Sequence, residues 1–304
     1  MNKPTLGFIG QGFIGSAIAD CFQHYANVKT YDIRPELSSH TYPEVIAQDV
    51  LIMALPTPMK KDGTVDISIV EEALRQLASN LGSDEVKPVI LKSTIPPHKL
   101  GVLMLEYPGI FLVHSPEFLT ERSARYDFQQ SNRFIFGTLV GEDQSPYAKT
   151  ISDLFNLRFP MVPQYWTSFV ESSLIKYFCN AYFCSKISLF NEYNQICASW
   201  GINFESVIGK VMLDPRIGRS HFQVPGHDGL YGYAGSCFVK DTNGYFEVAK
   251  DAGVNPKVMK GVWHKNVETR GAFNLLEEIN KMKGRITSEE FSINDLMKLG
   301  ESDD

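Results

Sequence analysis

Residues 6 to 32 constrain this chain more than any other stretch. Leu6 to Ile9 is a short apolar run closed by Gly10, the pattern of a buried strand. Gly10-Gln11-Gly12-Phe13-Ile14-Gly15 follows at once. Ser16 to Tyr25 then reads as a helix, and Val28 to Tyr31 as a second strand ending at Asp32. A glycine-rich turn that leaves a strand and opens a helix, with an acid 22 residues after Gly10, is the context of a dinucleotide site. Each residue has a mechanical reason. Gly10 permits the tight turn, Gly12 lets backbone approach a pyrophosphate, and Gly15 lets helix and strand pack closely. The helix start at Phe13 and Ile14 offers N–H groups to phosphate. Asp32 suits a ribose 2′-OH and repels a 2′-phosphate, which favours NAD over NADP, with Arg34 pulling the other way. A glycine turn without a ligand is the plainer alternative.

Further buried-strand candidates are Val50 to Leu55, Val89 to Leu91, Ile110 to Val113 and Phe134 to Phe136, with a helix over Ile67 to Leu81. This alternation predicts an α/β fold with a Rossmann-like, doubly wound parallel sheet. Ligands in such sheets sit at the carboxyl ends of strands. Thr57 in Pro56-Thr57-Pro58 and Thr94 in Lys92-Ser93-Thr94-Ile95-Pro96-Pro97 fall there, although turn chemistry alone also accounts for them.

The second half reads as helical. Trp166 to Trp200 holds no proline or glycine and as one helix would span about 50 Å at ~1.5 Å per residue. It is apolar around much of its circumference, which suits burial against a second subunit. Lys176 and Asn180 share a face. A lysine there needs a partner or a ligand, or snorkels to solvent. Gly232-Tyr233-Ala234-Gly235-Ser236-Cys237-Phe238-Val239-Lys240-Asp241 leads from a glycine loop into a helix expected over Cys237 to Ala252. Cys237 would sit at its N-terminus, where the dipole and a lysine favour thiolate, with Asp241 one turn on. That grouping suits covalent catalysis. A small cysteine at a helix start, beside solvated Lys240 and Asp241, is an equal alternative. Cys21, Cys179, Cys184 and Cys197 lie in helical runs among apolar neighbours and read as packing residues. The odd cysteine count and absence of CxxC argue against disulfides, and no histidine spacing suits a metal, so none is expected. Residues after Lys281 read as a short peripheral helix or a frayed end.

The 304 residues, 43% hydrophobic, suit about two domains with real cores. A net charge of −6 argues against nucleic acid or a polybasic membrane surface as partner, no apolar run suits a spanning helix, and no signal peptide is seen, so a cytoplasmic protein is expected.

Several motifs in order resemble the UDP-glucose/GDP-mannose dehydrogenase family. They are the glycine turn with Asp32, Pro56-Thr57-Pro58, the Lys92 to Pro97 segment and Ser115-Pro116-Glu117-Phe118-Leu119-Thr120-Glu121. Glu171, Lys176, Asn180 and Asn191-Glu192 follow, then Asp214-Pro215-Arg216-Ile217-Gly218 and Gly235 to Asp241. The wording at Ser115 to Leu119 is closer to the UDP-glucose branch. The resemblance covers roughly residues 4 to 270. It implies an NAD-binding domain over 1–160, a helical central domain for dimerisation over 161–275 carrying the cysteine, and a tail over 276–304.

It also implies an NAD-dependent oxidoreductase taking the C6 alcohol of a nucleotide sugar, UDP-glucose first, to the acid in two hydride transfers. Cys237 would form a thiohemiacetal and then a thioester. Lys176 and Asn180 would stabilise the oxyanion, and Asp241, with Thr94 and Glu121, would handle water. Glu117, Phe118, Leu119 and Arg216 would lie along the substrate. Thr57, Thr94, Glu121 and Lys240 would line the cofactor. A homodimer through the long helix is implied.

Three departures qualify this. Full-length members continue into a third domain that grips the nucleotide, so a shortened form is expected here, or a separate chain supplying that domain. The Gly218 to Cys237 loop is longer than usual and Ala234 replaces a glycine. Val239 replaces a proline. Two other readings stay open: a short β-hydroxyacid dehydrogenase using a helix lysine, and an NAD-binding dimer without turnover.

Overall fold

A computed structural model describes residues 3–301, which divide into two compact units. The first holds residues up to Thr57 and Ile67–Lys176; the second holds Pro58–Asp66 and Tyr177 onward.

In the first unit the chain alternates β1 (Thr5–Ile9), α1 (Phe13–Phe22), β2 (Asn27–Tyr31), α2 (Tyr42–Ile46), β3 (Val50–Met53) and α3 (Ser68–Ala78). It continues through β4 (Lys87–Leu91), α4 (Pro97–Glu106), β5 (Ile110–His114), α5 (Ala124–Gln129), β6 (Phe134–Thr138), α6 (Pro146–Arg158) and β7 (Gln164–Ser168). The strands form one sheet in the order β2-β1-β3-β4-β5-β6-β7. The reversal of order at β1 and β3 creates the crevice where such sheets bind ligands. β3, β4 and β5 are buried on both faces, as expected of central parallel strands.

Two strands, β6 and the β7 that pairs parallel to it, depart from the expected all-parallel sheet. β6 runs antiparallel to β5, meeting it at His114 and Gly137. Phe22, Phe128, Phe134, Phe136, Phe155 and Phe159 interlock by edge and tilted contacts beneath that half of the sheet.

The long helix α7 spans Phe169–Ser199. Trp166, Thr167 and Ser168, expected in this helix, instead end β7. A capping box sets the boundary. The Glu171 N–H donates to Ser168 Oγ at 3.2 Å, and the Ser168 N–H donates back to the Glu171 carboxylate at 3.0 Å. Gly201, at φ +66°, ends the helix, and the Ile202 N–H closes onto Cys197 O.

The second unit contains most of α7, then α8 (Phe204–Val211), α9 (Gly235–Asp251), α10 (Lys257–Arg270), α11 (Ala272–Lys281) and α12 (Ile293–Lys298). Trp263, Leu275, Ile279, Ile286, Phe291, Leu296 and Leu299 make its core with Met59 of the Pro58–Asp66 excursion. The Met59 N–H donates to Ile286 O, and the Ser288 N–H donates to Met59 O. The segment after Lys281 is thus an integrated part of this unit and not a frayed end, with Leu296 fully buried; Ser302 to Asp304 lie outside the described residues. Among the described residues no helix is long and apolar enough to cross a membrane.

Candidate active site

The turn after β1 has the geometry of a phosphate cradle. Gly10 sits at φ +92°, open to glycine and strained for other residues. A Cβ on Gly15 would run into the Gly10 carbonyl, so helix and strand touch backbone to backbone. A Cβ on Gly12 would meet nothing within 4 Å, which leaves its backbone open on the ligand side. No side chain caps α1 at Gly12, so the helix start is dressed for an anion. Asp32 accepts the Gln11 N–H at 2.7 Å and the Arg34 N–H and Nε–H at 2.9 and 3.1 Å. Burial works to raise its carboxyl, and the hydrogen bonds from Arg34 and Gln11 outweigh it, holding the group below the usual carboxylate range. These residues fit a dinucleotide with a free ribose hydroxyl. Ile33, 88% exposed beside Asp32, is a large apolar side chain that sequence reading passed over.

Thr57 and Thr94 come together. The Thr57 hydroxyl donates to Thr94 O at 2.9 Å and joins the turns that follow β3 and β4. Glu121 opens a short 3-10 turn and is exposed.

A buried charged cluster lies at the ends of β4 and β5. Lys176 Nζ donates to Glu117 O at 2.7 Å and to Glu117 Oε1 at 3.1 Å, and both side chains are almost fully buried. Lys176 therefore does not snorkel. The Leu119 N–H donates to the other Glu117 oxygen at 2.6 Å, and Phe118 lies with its ring centroid 5.7 Å from Nζ. Two buried groups were missed in the sequence. Lys92 donates to Ser115 Oγ at 3.0 Å, and burial, with the charge of Lys176, pushes its ammonium down to about 7 against the pull of Glu117. His114 has Nε2 3.1 Å from Ser93 O, so that nitrogen carries the proton, and Nδ1 accepts from Ser172 Oγ at 2.8 Å. Burial pushes His114 down to about 3. A polar residue directly after or at the end of an apolar run, Val89 to Leu91 for Lys92 and Ile110 to Val113 for His114, was the available signal.

A second cluster surrounds the start of α9. Asn180 Nδ2 donates to Asp241 Oδ2 and Lys240 Nζ to Asp241 Oδ1, each at 2.6 Å. Asp241 is 3% exposed and Asn180 7%. Cys237 stands on the first turn of α9, partly exposed, with Ser236 Oγ 3.7 Å from its sulfur. The helix begins at Gly235, two residues before the expected Cys237. Ala234 precedes the helix at φ −148° and ψ −144°, and Val239 is fully buried within the helix. Lys176 and Asn180 are one turn apart on α7. Arg216 stands apart, largely exposed and forked onto the Asp214 carboxylate. The five cysteines are all free thiols, and burial raises Cys21 and Cys184.

A doubly wound sheet with this glycine turn and an acid at the end of β2 defines the class of dinucleotide-binding α/β folds. Comparison with known proteins narrows it. Residues 26–157 match the NAD binding domain of the UDP-glucose/GDP-mannose dehydrogenase family, and residues 170–268 match its central domain. The chain belongs to that family, and its cofactor is NAD. The match begins after the glycine turn, so Gly10 to Gly15 rest on their own geometry.

The UDP-glucose 6-dehydrogenase YwqF of Bacillus subtilis is 33% identical over 230 residues, 73% of this chain and 49% of that protein. The UDP-glucose 6-dehydrogenase AglM of Haloferax volcanii is 28% identical over 296 residues, 84% of this chain and 67% of that protein. The solved structure of a UDP-glucose dehydrogenase from Pyrobaculum islandicum superposes with a TM-score of 0.78 at 27% identity, covering 91% of this chain and 71% of that one. The chain thus spans between about half and two thirds of the curated relatives' length.

Proposed function

We propose that this protein oxidises the C6 alcohol of a nucleotide sugar, UDP-glucose first among candidates, to the uronic acid through a covalent intermediate on Cys237. The observation that carries this reading is the first turn of α9. It presents a partly exposed cysteine one turn before a buried carboxylate whose two oxygens are held by Asn180 and Lys240. Two buried polar groups and a cation around one thiol are costly to assemble for packing alone.

Bound at Gly10 to Gly15 and Asp32, with Thr57, Thr94, Glu121 and Lys240 along it, NAD supplies the hydride acceptor for each oxidation. The chain's residues do the rest. Cys237, as thiolate, adds to the aldehyde carbon and gives a thiohemiacetal, which can be oxidised again to a thioester. Lys176 and Asn180 donate hydrogen bonds to the oxygen as it gains charge. Asp241, with Thr94 and Glu121, orients water and takes its proton in thioester hydrolysis. Glu117 fixes Lys176, and Glu117, Phe118, Leu119 and Arg216 are assigned to the substrate.

In this reading residues 1–160 bind NAD, 161–275 carry the nucleophile and the dimer contact, and 276–304 form a C-terminal extension. Phe178, Tyr182, Leu189, Tyr193 and Ile196 on α7, and Trp200 just after it, are all exposed. At ~100° per residue they fall in a stripe about 60° wide, and a second copy covering it gives a homodimer.

Cys237→Ser tests the chemistry. The reading expects acid formation from UDP-glucose to stop while NAD binding persists. Full activity in the variant refutes it and favours a hydroxyacid dehydrogenase that needs no cysteine. A wild-type protein that binds NAD but turns over no substrate favours a non-catalytic dimer.

A further inference from the structure

The backbone that delivers Cys237 to α9 is gripped from one side by three side chains. Asn266 on α10, 1% exposed, accepts the Tyr233 N–H at 2.6 Å through Oδ1 and donates to Tyr233 O at 2.9 Å through Nδ2. It treats one residue of loop as a strand partner would. Asn191 on α7 accepts the Gly232 N–H at 3.1 Å. Arg270, one turn beyond Asn266, donates to Tyr231 O at 3.3 Å and to Asp228 at 2.7 Å, and is itself held by Glu278. The fit is close. A Cβ on Gly232, at φ +71°, would lie 2.6 Å from Asn266 Oδ1. Tyr233 is 2% exposed, and its hydroxyl is 3.4 Å from Thr242 Oγ1 on α9 itself. Three consecutive residues, 231 to 233, are thus fixed four residues before the thiol.

A loop tied only for stability needs no such density of buried amide and guanidinium groups, because an apolar anchor serves as well. We propose that Asn266, backed by Arg270, is a positioning residue for Cys237: it fixes the path of the chain into α9 and so the place of the sulfur against the helix start. The proposal rests on the reading of Cys237 as nucleophile, and its test does not require turnover. Around Cys237, Lys240 and Asp241 share its helix, and Cys184 of α7 interacts with it electrostatically. Loosening the entry moves the thiol relative to all of these and to the first amides of α9.

The test is the pH profile of iodoacetamide alkylation, read by peptide mass spectrometry, with Cys179 on α7 as internal standard. Asn266→Ala removes the clamp, and Gly232→Ala pushes the backbone off it. Urea midpoints establish that each variant is folded under the labelling conditions. The expected result is that both variants move the midpoint of Cys237 reactivity upward and lower its rate relative to Cys179 at least threefold at pH 7.5. Asn191→Ala, which releases only the Gly232 N–H, gives a smaller shift in the same direction and carries the test if the others do not fold. An unchanged Cys237 profile in folded variants overturns the proposal, whether or not the wild type oxidises any sugar. A normal shift in a protein without dehydrogenase activity would sink the proposed function and leave the clamp standing.

Discussion

Asn180 donates to Asp241 at 2.6 Å from one helix to another, and Lys240 occupies the other carboxylate oxygen at the same distance. Both oxygens of the buried carboxylate are therefore engaged, and its plane is fixed one turn from Cys237. A carboxylate so held keeps one orientation through a reaction, as a group that aligns water requires.

That arrangement gives the first prediction. Asp241→Asn keeps the shape and removes the charge. The first oxidation should proceed while release of the acid slows by about 100-fold or more, so a covalent adduct on Cys237 accumulates and is seen in the intact mass. Steady turnover at the wild-type rate with no adduct would show that Asp241 has no part in hydrolysis.

Two glycines in one turn should behave oppositely. Gly15→Ala drives a methyl group into the Gly10 carbonyl and should cost about 1–3 kcal/mol or more, visible as a fall in Tm. Gly12→Ala meets open space and should change stability by less than about 0.5 kcal/mol while weakening NAD binding at least tenfold. Titration of NAD by fluorescence and a thermal melt read both. Unchanged NAD affinity in Gly12→Ala would remove the phosphate cradle from this turn.

His114 and Lys92 give the stability a pH dependence whose sign is fixed by burial. His114 titrates at about 3 when folded and near 6.5 when unfolded. Below pH 6.5 the unfolded chain takes up a proton that the folded chain refuses, so stability present above 6.5 is lost as pH falls. From pH 6.5 to 5.0 the loss is about 1.5 kcal/mol. Lys92 titrates at about 7 when folded, well below its unfolded value, so stability rises as pH passes above 7. Urea midpoints from pH 5 to 8.5 check both. His114→Gln should flatten the acid limb and Lys92→Met the neutral-to-basic limb, and unchanged slopes would place these groups in wetter surroundings than the structure gives them.

The exposed stripe on α7 predicts an oligomer. Wild-type protein should run as a dimer by light scattering, and Tyr182→Glu with Tyr193→Glu should shift it to monomer while the circular dichroism spectrum is retained. A wild-type monomer at micromolar concentration would mean that the stripe is covered by something else.

The N-terminal half was legible because its signals are local. An apolar run, a glycine turn and an acid at fixed spacing carry their structural reason within a few residues, and the positive φ of Gly10 and the backbone contact of Gly15 with it match the expected tight turn and close packing. Trp166 to Ser168 were misplaced because nothing between β7 and α7 breaks the chain, and the Ser168–Glu171 capping box was overlooked. The antiparallel β6 rests on its pairing with β5 at His114 and Gly137, and hydrophobic periodicity does not encode strand direction. Met59 packing onto Ile286 crosses more than two hundred residues of sequence, and no local pattern encodes it. Of the candidate site, residue types that announce chemistry, such as Cys237 and Lys176, were found. Lys92, His114 and Asn266 were not, because what marks them is burial and a partner far along the chain.

The measurement that tests the central claim most directly is the number of NADH molecules formed for each molecule of UDP-glucose consumed by the purified protein. The account predicts two, with UDP-glucuronate as product and no free aldehyde. One NADH per sugar, with the aldehyde released, or no NADH from folded protein that binds NAD, would contradict it.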